Sequence, residues 1–201
     1  MTTSDVRSAS DKQRSYHHGN LRDELLVTAE AVLREKGVEQ VTLRDLARRA
    51  GVSHAAPSRH FPDREALLLA LAATGYERLG RAVMEAREEA GDNFDGQFRA
   101  VATVFVRFAV ESAALVEVMF TIGKGTGSTA LQEARSVLYD AFGSLVEEGV
   151  GRRSLRRLEP DRLKPLIIAT LQGVAAFAAA GTLPSEAVDS LIDDACSLFI
   201  I

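Results

Sequence analysis

The sequence predicts an all-α protein. Apolar residues recur at the helical period along most of the chain, and no segment alternates convincingly like a β-strand. The breaks between these segments are short and rich in glycine, as helix–helix connections are. With 201 residues, of which 46% are hydrophobic, the chain can bury a real core. We expect about nine helices, divided between a small N-terminal domain and a larger C-terminal one.

The N-terminal third begins with a polar stretch, residues 1–15, which we predict to be a disordered arm. Residues 16–64 form the predicted small domain. Asn20 can cap its first helix, and Gly37 can end that helix. Leu21, Leu25, Ala29, Val32 and Leu33 give the helix one apolar face.

Two short helices follow, separated by a turn that contains glycine. Thr42 can cap the first of them, with Asp45 three residues later as a short capping box. After Gly51, a second helix can begin near Ser53 or His54. Two short helices joined in this way predict a helix-turn-helix.

Pro57 lies inside this second short helix. If Ser53 is the cap, the amide that Pro57 lacks would have made only the first intrahelical bond, so its cost there is small. Proline nevertheless disfavours helical geometry at Ala56. We therefore predict a short helix with an irregular or shifted start.

The larger predicted domain, residues 65–201, follows Asp63, which can cap a long helix. Gly75 and Gly80 are expected to be weak points of that helix. Further helices are predicted near residues 95–114, 115–122, 128–149, 160–180 and 185–200.

Charge and cysteine content limit the class of protein. The net charge is −4, yet the N-terminal third carries a small excess of basic residues, so only this part is expected to meet a polyanion. The single cysteine, Cys196, excludes an internal disulfide framework. The N-terminus lacks the apolar core of a secretory signal, and the longest apolar run, near residues 166–180, is short for a bilayer. We predict a cytoplasmic protein with no membrane partner.

Residues 21–68 resemble the DNA-binding domain of tetracycline-repressor (TetR) family regulators. The matching pieces are the helix ending at Gly37, VTLRDLA at 41–47, AGVS at 50–53 and HFPDREAL at 60–67. The resemblance implies a homodimeric, ligand-responsive transcription regulator, and a repressor is the leading expectation. Its partners would be a pseudo-palindromic double-stranded DNA operator and a small effector.

The predicted DNA contacts combine helix N-termini, hydroxyls, basic side chains and an apolar segment. Helix N-termini and hydroxyls hold phosphates, arginine and histidine bond to bases, and alanine or proline can touch thymine methyl groups. In the family an aromatic residue usually stands where this chain has Ser58. Capping and solubility alone would also explain individual residues. The predicted set is Thr42, Arg44, Ser53, His54, Ala55, Pro57, Ser58, Arg59, His60 and Arg64.

Three further motifs have plainer explanations. The histidines lack the spacing of a metal site, so we expect neither metal nor cofactor. Lys12, Arg14, Tyr16, His17 and His18 form either a basic arm that reaches DNA or an untethered tail. Residues 123–128 lack the spacing and the preceding strand of a phosphate-binding loop, and the arginines of residues 152–157 fit a solvated helix end.

The last two helices are unusually apolar, which indicates burial on most sides. The resemblance implies that they pair with those of a second copy in a four-helix interface. The predicted interface residues are Leu163, Ile167, Leu171, Val174, Leu191, Ile192, Ala195 and Phe199.

The resemblance also implies an effector pocket among the middle helices, and their composition makes it mainly apolar. The predicted lining is Phe105, Arg107, Phe108, Glu111, Met119, Phe120, Phe142 and Gln172. An enzyme is disfavoured, because the body contains no histidine and its cysteine has no nearby base. A helical carrier or sensor that does not bind an operator remains the alternative.

Overall fold

A computed structural model describes residues 21–122 and 128–201, which contain eight α-helices and no β-strand. The prediction of an all-α fold is therefore confirmed. Two 3-10 turns lie at Val38–Gln40 and Pro57–Arg59, and one isolated bridge joins Leu155 to Ile200. The helices are α1 Leu21–Lys36, α2 Leu43–Arg49, α3 Arg64–Glu89, α4 Phe94–Glu111, α5 Ala113–Thr121, α6 Thr129–Gly151, α7 Pro160–Ala179 and α8 Ser185–Ser197. The predicted Asn20 cap, the N-terminal arm and the loop at 123–127 lie outside the described residues.

The chain forms two compact units that divide between Leu71 and Ala72, within α3. In the N-terminal unit, α1, α2 and the start of α3 enclose an apolar core. Thr42 caps α2 by accepting the Asp45 amide at 3.2 Å, and Asp63 caps α3 by accepting the Ala66 amide at 2.8 Å, as predicted. The fully or nearly buried side chains include Leu25, Ala29, Val32, Leu46, Phe61 and Leu67.

The second short helix differs from the prediction. Only Pro57–Arg59 forms a helical turn, of the 3-10 type. Because Pro57 has no amide hydrogen, the Ser53 carbonyl instead accepts the Ala56 amide at 3.0 Å, closing a separate turn before the proline. Ala56 itself is helical (φ −65°, ψ −46°), so the expected disfavour of helical geometry at this residue is not observed.

A glycine fixes the turn between the two segments. Gly51 has φ of 66°, in the left-handed region that glycine adopts without steric cost. The Val52 amide bonds back to the Ala47 carbonyl at 3.0 Å, which is the pattern of a Schellman helix end. This turn ends α2 sharply and directs the chain into residues 52–59.

The C-terminal unit is a bundle in which α4 packs along both α7 and α8, and α7 also contacts α6 and α8. Its core includes a fully buried tyrosine, Tyr76, whose hydroxyl donates to the Met119 carbonyl at 2.8 Å. That carbonyl belongs to the last turn of α5, where helical partners run out. The hydrogen bond therefore ties α3 to the end of α5.

Gly75 and Gly80, expected to weaken α3, lie in a continuous helix. A Cβ at Gly75 would stand 2.6 Å from the Met119 sulfur, and one at Gly80 would stand 3.5 Å from the Leu138 backbone nitrogen. Both glycines therefore allow α5 and α6 to approach α3 closely, and this approach explains their place in the helix.

The helix α7 is the one helix in the described ranges that is long and apolar enough, by length and composition, to cross a membrane. Only 28% of that apolar stretch is buried inside the chain. Leu166 and Phe177 of α7 are 50% and 56% exposed, and Leu198, just after α8, is 57% exposed. The last two helices thus leave a large apolar surface uncovered by their own chain.

We expect the lone cysteine to react with iodoacetamide at least about 100-fold more slowly in the native protein than in the denatured chain. Cys196 is fully buried, and burial raises the pKa of its thiol from 9.0 to about 11, which suppresses the reactive thiolate at neutral pH. The measurement is the labelling rate followed by mass spectrometry, with and without guanidinium chloride. Equal rates in the two conditions would contradict this burial.

Candidate nucleic-acid interface and effector cavity

The N-terminal unit presents an exposed polar and basic surface, formed by the start of α2 and by residues 53–59. The α2 cap, Thr42, is itself exposed at the helix N-terminus. Backbone amides there carry partial positive charge and suit a phosphate. The predicted DNA contacts that are exposed are Thr42, Arg44, Ser53, His54, Ala55, Ser58 and Arg59, whereas His60 is half-buried.

The arginines of this unit divide into paired and unpaired groups. Arg48 and Arg49 bind the Asp45 carboxylate at 2.5 and 3.0 Å, and Arg49 also binds Glu35 at 3.1 Å. The hydrogen bond from Arg48, ahead of Arg49, holds the pKa of the Asp45 carboxyl below its usual range.

Arg44 and Arg59 differ from these two. Each side chain is exposed, and neither makes an ion pair or a hydrogen bond with any residue in the described ranges. An exposed arginine without an acidic partner can neutralise a phosphate or bond to a guanine edge without first breaking an internal pair. On this surface, these two guanidinium groups are therefore the ones that no carboxylate of the described residues neutralises.

Two predicted DNA contacts differ from this exposed set, because one is buried and the other is hydrogen-bonded within the unit. Pro57 is buried, which leaves Ala55 as the exposed apolar residue of the segment. Arg64 donates from Nε to the Val41 carbonyl at 2.9 Å and from Nη2 to the Val38 carbonyl at 2.6 Å. Its guanidinium therefore holds the connection between α1 and α2 in place, an internal role that the sequence pattern did not reveal.

The C-terminal unit encloses a small apolar cavity with a volume of about 30 Å³. This volume is roughly that of one water molecule, so a ligand would need side chains to move. Three residues of the predicted pocket, Phe105, Phe120 and Phe142, line it. The other lining residues were not predicted for the pocket; they are Val83, Val101, Leu138, Tyr139, Ile168 and Leu171.

The other residues predicted for the pocket lie elsewhere. Met119 is fully buried beside α3, and Phe108 lies under the Arg78 guanidinium at 5.7 Å. Arg107 is 60% exposed and pairs with Asp189 at 3.1 Å. Glu111 is exposed, and Gln172 lines a separate open groove of about 340 Å³. None of these five lines the cavity.

The predicted interface residues of α7 and α8 mostly pack inside their own chain. The exception is Leu191, which is half-buried. The surface left for a partner is formed instead by other residues of the same region, above all Leu166, Phe177 and Leu198. The buried set is Leu163, Ile167, Leu171, Val174, Ile192, Ala195 and Phe199.

Comparison with known proteins shows which family has this architecture. The family model for bacterial regulatory proteins of the tetR family matches residues 25–71, which include α2 and the segment after it. An exposed helix-turn-helix followed by a helical body defines a DNA-binding transcription regulator. The N-terminal unit of this chain carries the DNA-binding domain of the TetR family of such regulators. Regulators of this family bind DNA as dimers and respond to small-molecule effectors.

Solved structures extend the likeness over most of the chain, while no curated protein matches it. A protein of unknown function from Rhodococcus sp. RHA1 is 38% identical, with 91% of this chain and 95% of that one covered and a TM-score of 0.81. A TetR family transcription regulator from Marinobacter aquaeolei VT8 is 16% identical, with coverage of 94% and 98% and a TM-score of 0.73. The fatty acid degradation regulator FadR from Bacillus halodurans is 18% identical, with coverage of 88% and 96% and a TM-score of 0.67. The last two show a shared fold.

Proposed function

We propose that this chain is a cytoplasmic transcriptional repressor that binds a pseudo-palindromic operator as a homodimer and is released by a small, mainly apolar effector. The observation that carries the DNA-binding part is the exposure of Arg44 and Arg59 without acidic partners, beside the Thr42 cap of α2. Most neighbouring arginines of the unit are engaged internally. The helix-turn-helix thus keeps its free cations on the surface formed by α2 and residues 53–59.

The contacts divide by chemistry. Arg44, the α2 N-terminus and the hydroxyls of Thr42 and Ser53 suit phosphates, which position the protein without reading sequence. Arg59 and His54 are the proposed readers of base edges, and Ala55 is the proposed contact to a thymine methyl group. Ser58 is shorter than the aromatic residue usual at its position, so we expect it to contribute little to phosphate binding.

A second copy of the chain is the proposed cover for the apolar surface of α7 and the end of α8. Large exposed apolar surface on a water-soluble regulator marks an interaction site. A twofold axis at this surface would relate two helix-turn-helix units, which would then address two half-sites about one DNA turn apart.

The proposed effector site is the apolar cavity of the C-terminal unit. Because the cavity is small, a ligand must favour a conformation in which it is enlarged. If that conformation holds the two DNA-binding units of the dimer at a spacing that does not fit the operator, the ligand shifts the population and releases DNA. The helix α3, which contributes to both units, is the proposed connection.

The decisive experiment is selection of bound DNA from a random pool, followed by titration of the selected site over a salt series. We expect one palindromic consensus, with affinity that falls steeply as salt rises, because phosphate contacts release counterions. A scrambled site of equal length and composition is the control. Equal affinity for the two sites would overturn the proposal, and ligand binding with no DNA affinity at low salt would instead favour a carrier.

A further inference from the structure

One arginine of the C-terminal unit shares a helix face with residues that line the apolar cavity. Arg135 precedes Leu138, Tyr139 and Phe142 by three, four and seven residues on α6, and all three of those side chains line the cavity. Positions three, four and seven apart share one face of a helix. Arg135 therefore begins the stripe of α6 that forms the cavity wall.

The aromatic neighbours link the Arg135 guanidinium to this cavity, although neither Arg135 nor Tyr76 is among its lining residues. It lies over the Tyr76 ring, 5.4 Å from the centroid. Tyr76 in turn meets Phe120, another lining residue, edge to face at 6.4 Å. The Tyr139 hydroxyl is close enough for the Arg135 charge to act on it, although burial is the larger influence and raises the pKa of that hydroxyl.

Arg135 has an unused hydrogen-bonding group. Its Nε is buried and has no hydrogen-bond partner, and the guanidinium forms no ion pair with any carboxylate in the described ranges. A buried donor without a partner costs free energy, and native structures rarely retain one without a reason. The contact with the Tyr76 face stabilises the charge but leaves in-plane N–H groups to donate.

The adjoining space can accommodate an apolar ligand body once one side chain moves. Phe120 lines both the small cavity and the open groove of about 340 Å³ that runs past Ala109, Val116 and Gln172. If its ring moves aside so that the two spaces join, the combined volume lies within the range of small-molecule pockets.

We propose that Arg135 binds the carboxylate of an amphipathic effector whose apolar body fills the space around Phe120. This inference rests on the proposed effector response and adds to it the chemical class of the ligand. A carboxylate accepts two parallel hydrogen bonds from a guanidinium, which satisfies the Nε donor and neutralises a charge that has no partner among the described residues. An uncharged ligand of the same shape would leave both unsatisfied.

The test compares acids with uncharged ligands of the same skeleton. Calorimetric titrations use octanoate and phenylbutyrate against octanol and phenylbutanol, with wild type, Arg135→Gln, Arg135→Lys and the exposed control Arg157→Gln. We expect at least one acid to bind wild type and Arg157→Gln about tenfold or more tightly than its alcohol. Arg135→Gln should remove that preference without changing the affinity for the alcohol, and Arg135→Lys should keep part of it. Circular dichroism verifies that each variant is folded.

The outcomes separate this inference from the proposed function. Equal binding of an acid and its alcohol by wild type, no binding of any of the four ligands, or a preference that survives in folded Arg135→Gln would overturn the role of Arg135. If the alcohols release operator DNA while the acids show no advantage, the apolar effector stands and only the carboxylate is wrong. If wild type binds no specific DNA, the proposed repressor fails whatever the acids do.

Discussion

Replacing Phe177 and Leu198 together with glutamate is expected to make the chain monomeric and to weaken operator binding by about 100-fold or more. Both side chains are more than half exposed in the single chain, so glutamate does not disturb its core. In the proposed dimer the same positions are desolvated, and two unpaired carboxylates there would carry a high penalty. Loss of the dimer then removes the gain from engaging two half-sites with one molecule.

The geometry of α7 supports the choice of Phe177. It lies eleven residues after Leu166, which is about 20° away around a helix, so the two large side chains form one exposed stripe. Gly173 lies between them on the same face. A stripe with large side chains at its ends and a small residue between them allows another helix to approach closely, as interfaces between helices require.

Met84→Glu is the matched control for this prediction. Met84 is also 50% exposed and apolar, but it belongs to α3 and lies away from the surface of α7 and α8 in sequence and helix. Sedimentation velocity should show a dimer for wild type and Met84→Glu and a monomer for the double variant. A double variant that remains dimeric with full operator affinity would place the interface on another surface.

The sequence pattern of α7 predicted an apolar helix but did not predict which of its sides faces the core. Ile167, Leu171 and Val174 form one apolar stripe, while Leu166 and Phe177 form a neighbouring one. When both stripes of a helix are apolar, the spacing of its apolar residues is compatible with either stripe facing the core. Only the packing of the neighbouring helices α4, α6 and α8 distinguishes the buried stripe from the exposed one.

The residues that line the cavity were also only partly predictable from the sequence. Of the residues predicted for the effector pocket, Phe105, Phe120 and Phe142 line the cavity. Arg107 was predicted as a possible polar anchor, yet it pairs with Asp189 on the surface. Long-range partners such as these depend on tertiary packing, which a single sequence does not specify.

The caps and glycine turns were more predictable, since their physical causes are local. Thr42, Asp63 and Gly51 each act within a few residues of their own position. The segment after Gly51 was harder, because the missing amide of Pro57 can be accommodated by a shifted helix or by two successive turns. The structure has the second arrangement, with a 3-10 turn in place of a regular helix.

Arg59→Ala is expected to weaken operator binding by about 1–3 kcal/mol and to relax base preference at one position of each half-site. Arg44→Ala is expected to weaken binding to all sequences alike and to reduce the salt slope by about one, as loss of a phosphate contact does. Both side chains are exposed and have no partner among the described residues, so the different effects expected of the two substitutions come from their positions. Arg44 follows the α2 cap, whereas Arg59 ends the 3-10 turn proposed to enter the groove.

Arg48→Ala tests whether an arginine that is already paired with a carboxylate contributes less to DNA affinity than an unpaired one. Arg48 is 67% exposed on the same helix as Arg44, but its guanidinium is held by Asp45 at 2.5 Å. If free cations bind DNA, this variant should change affinity much less than Arg44→Ala does. The measurement is fluorescence anisotropy with the selected operator and with single-base variants of it, at several salt concentrations. Equal losses of affinity in Arg44→Ala and Arg48→Ala would show that overall charge, and not the availability of each guanidinium, governs binding. An unchanged base preference in Arg59→Ala would show that Arg59 does not read bases.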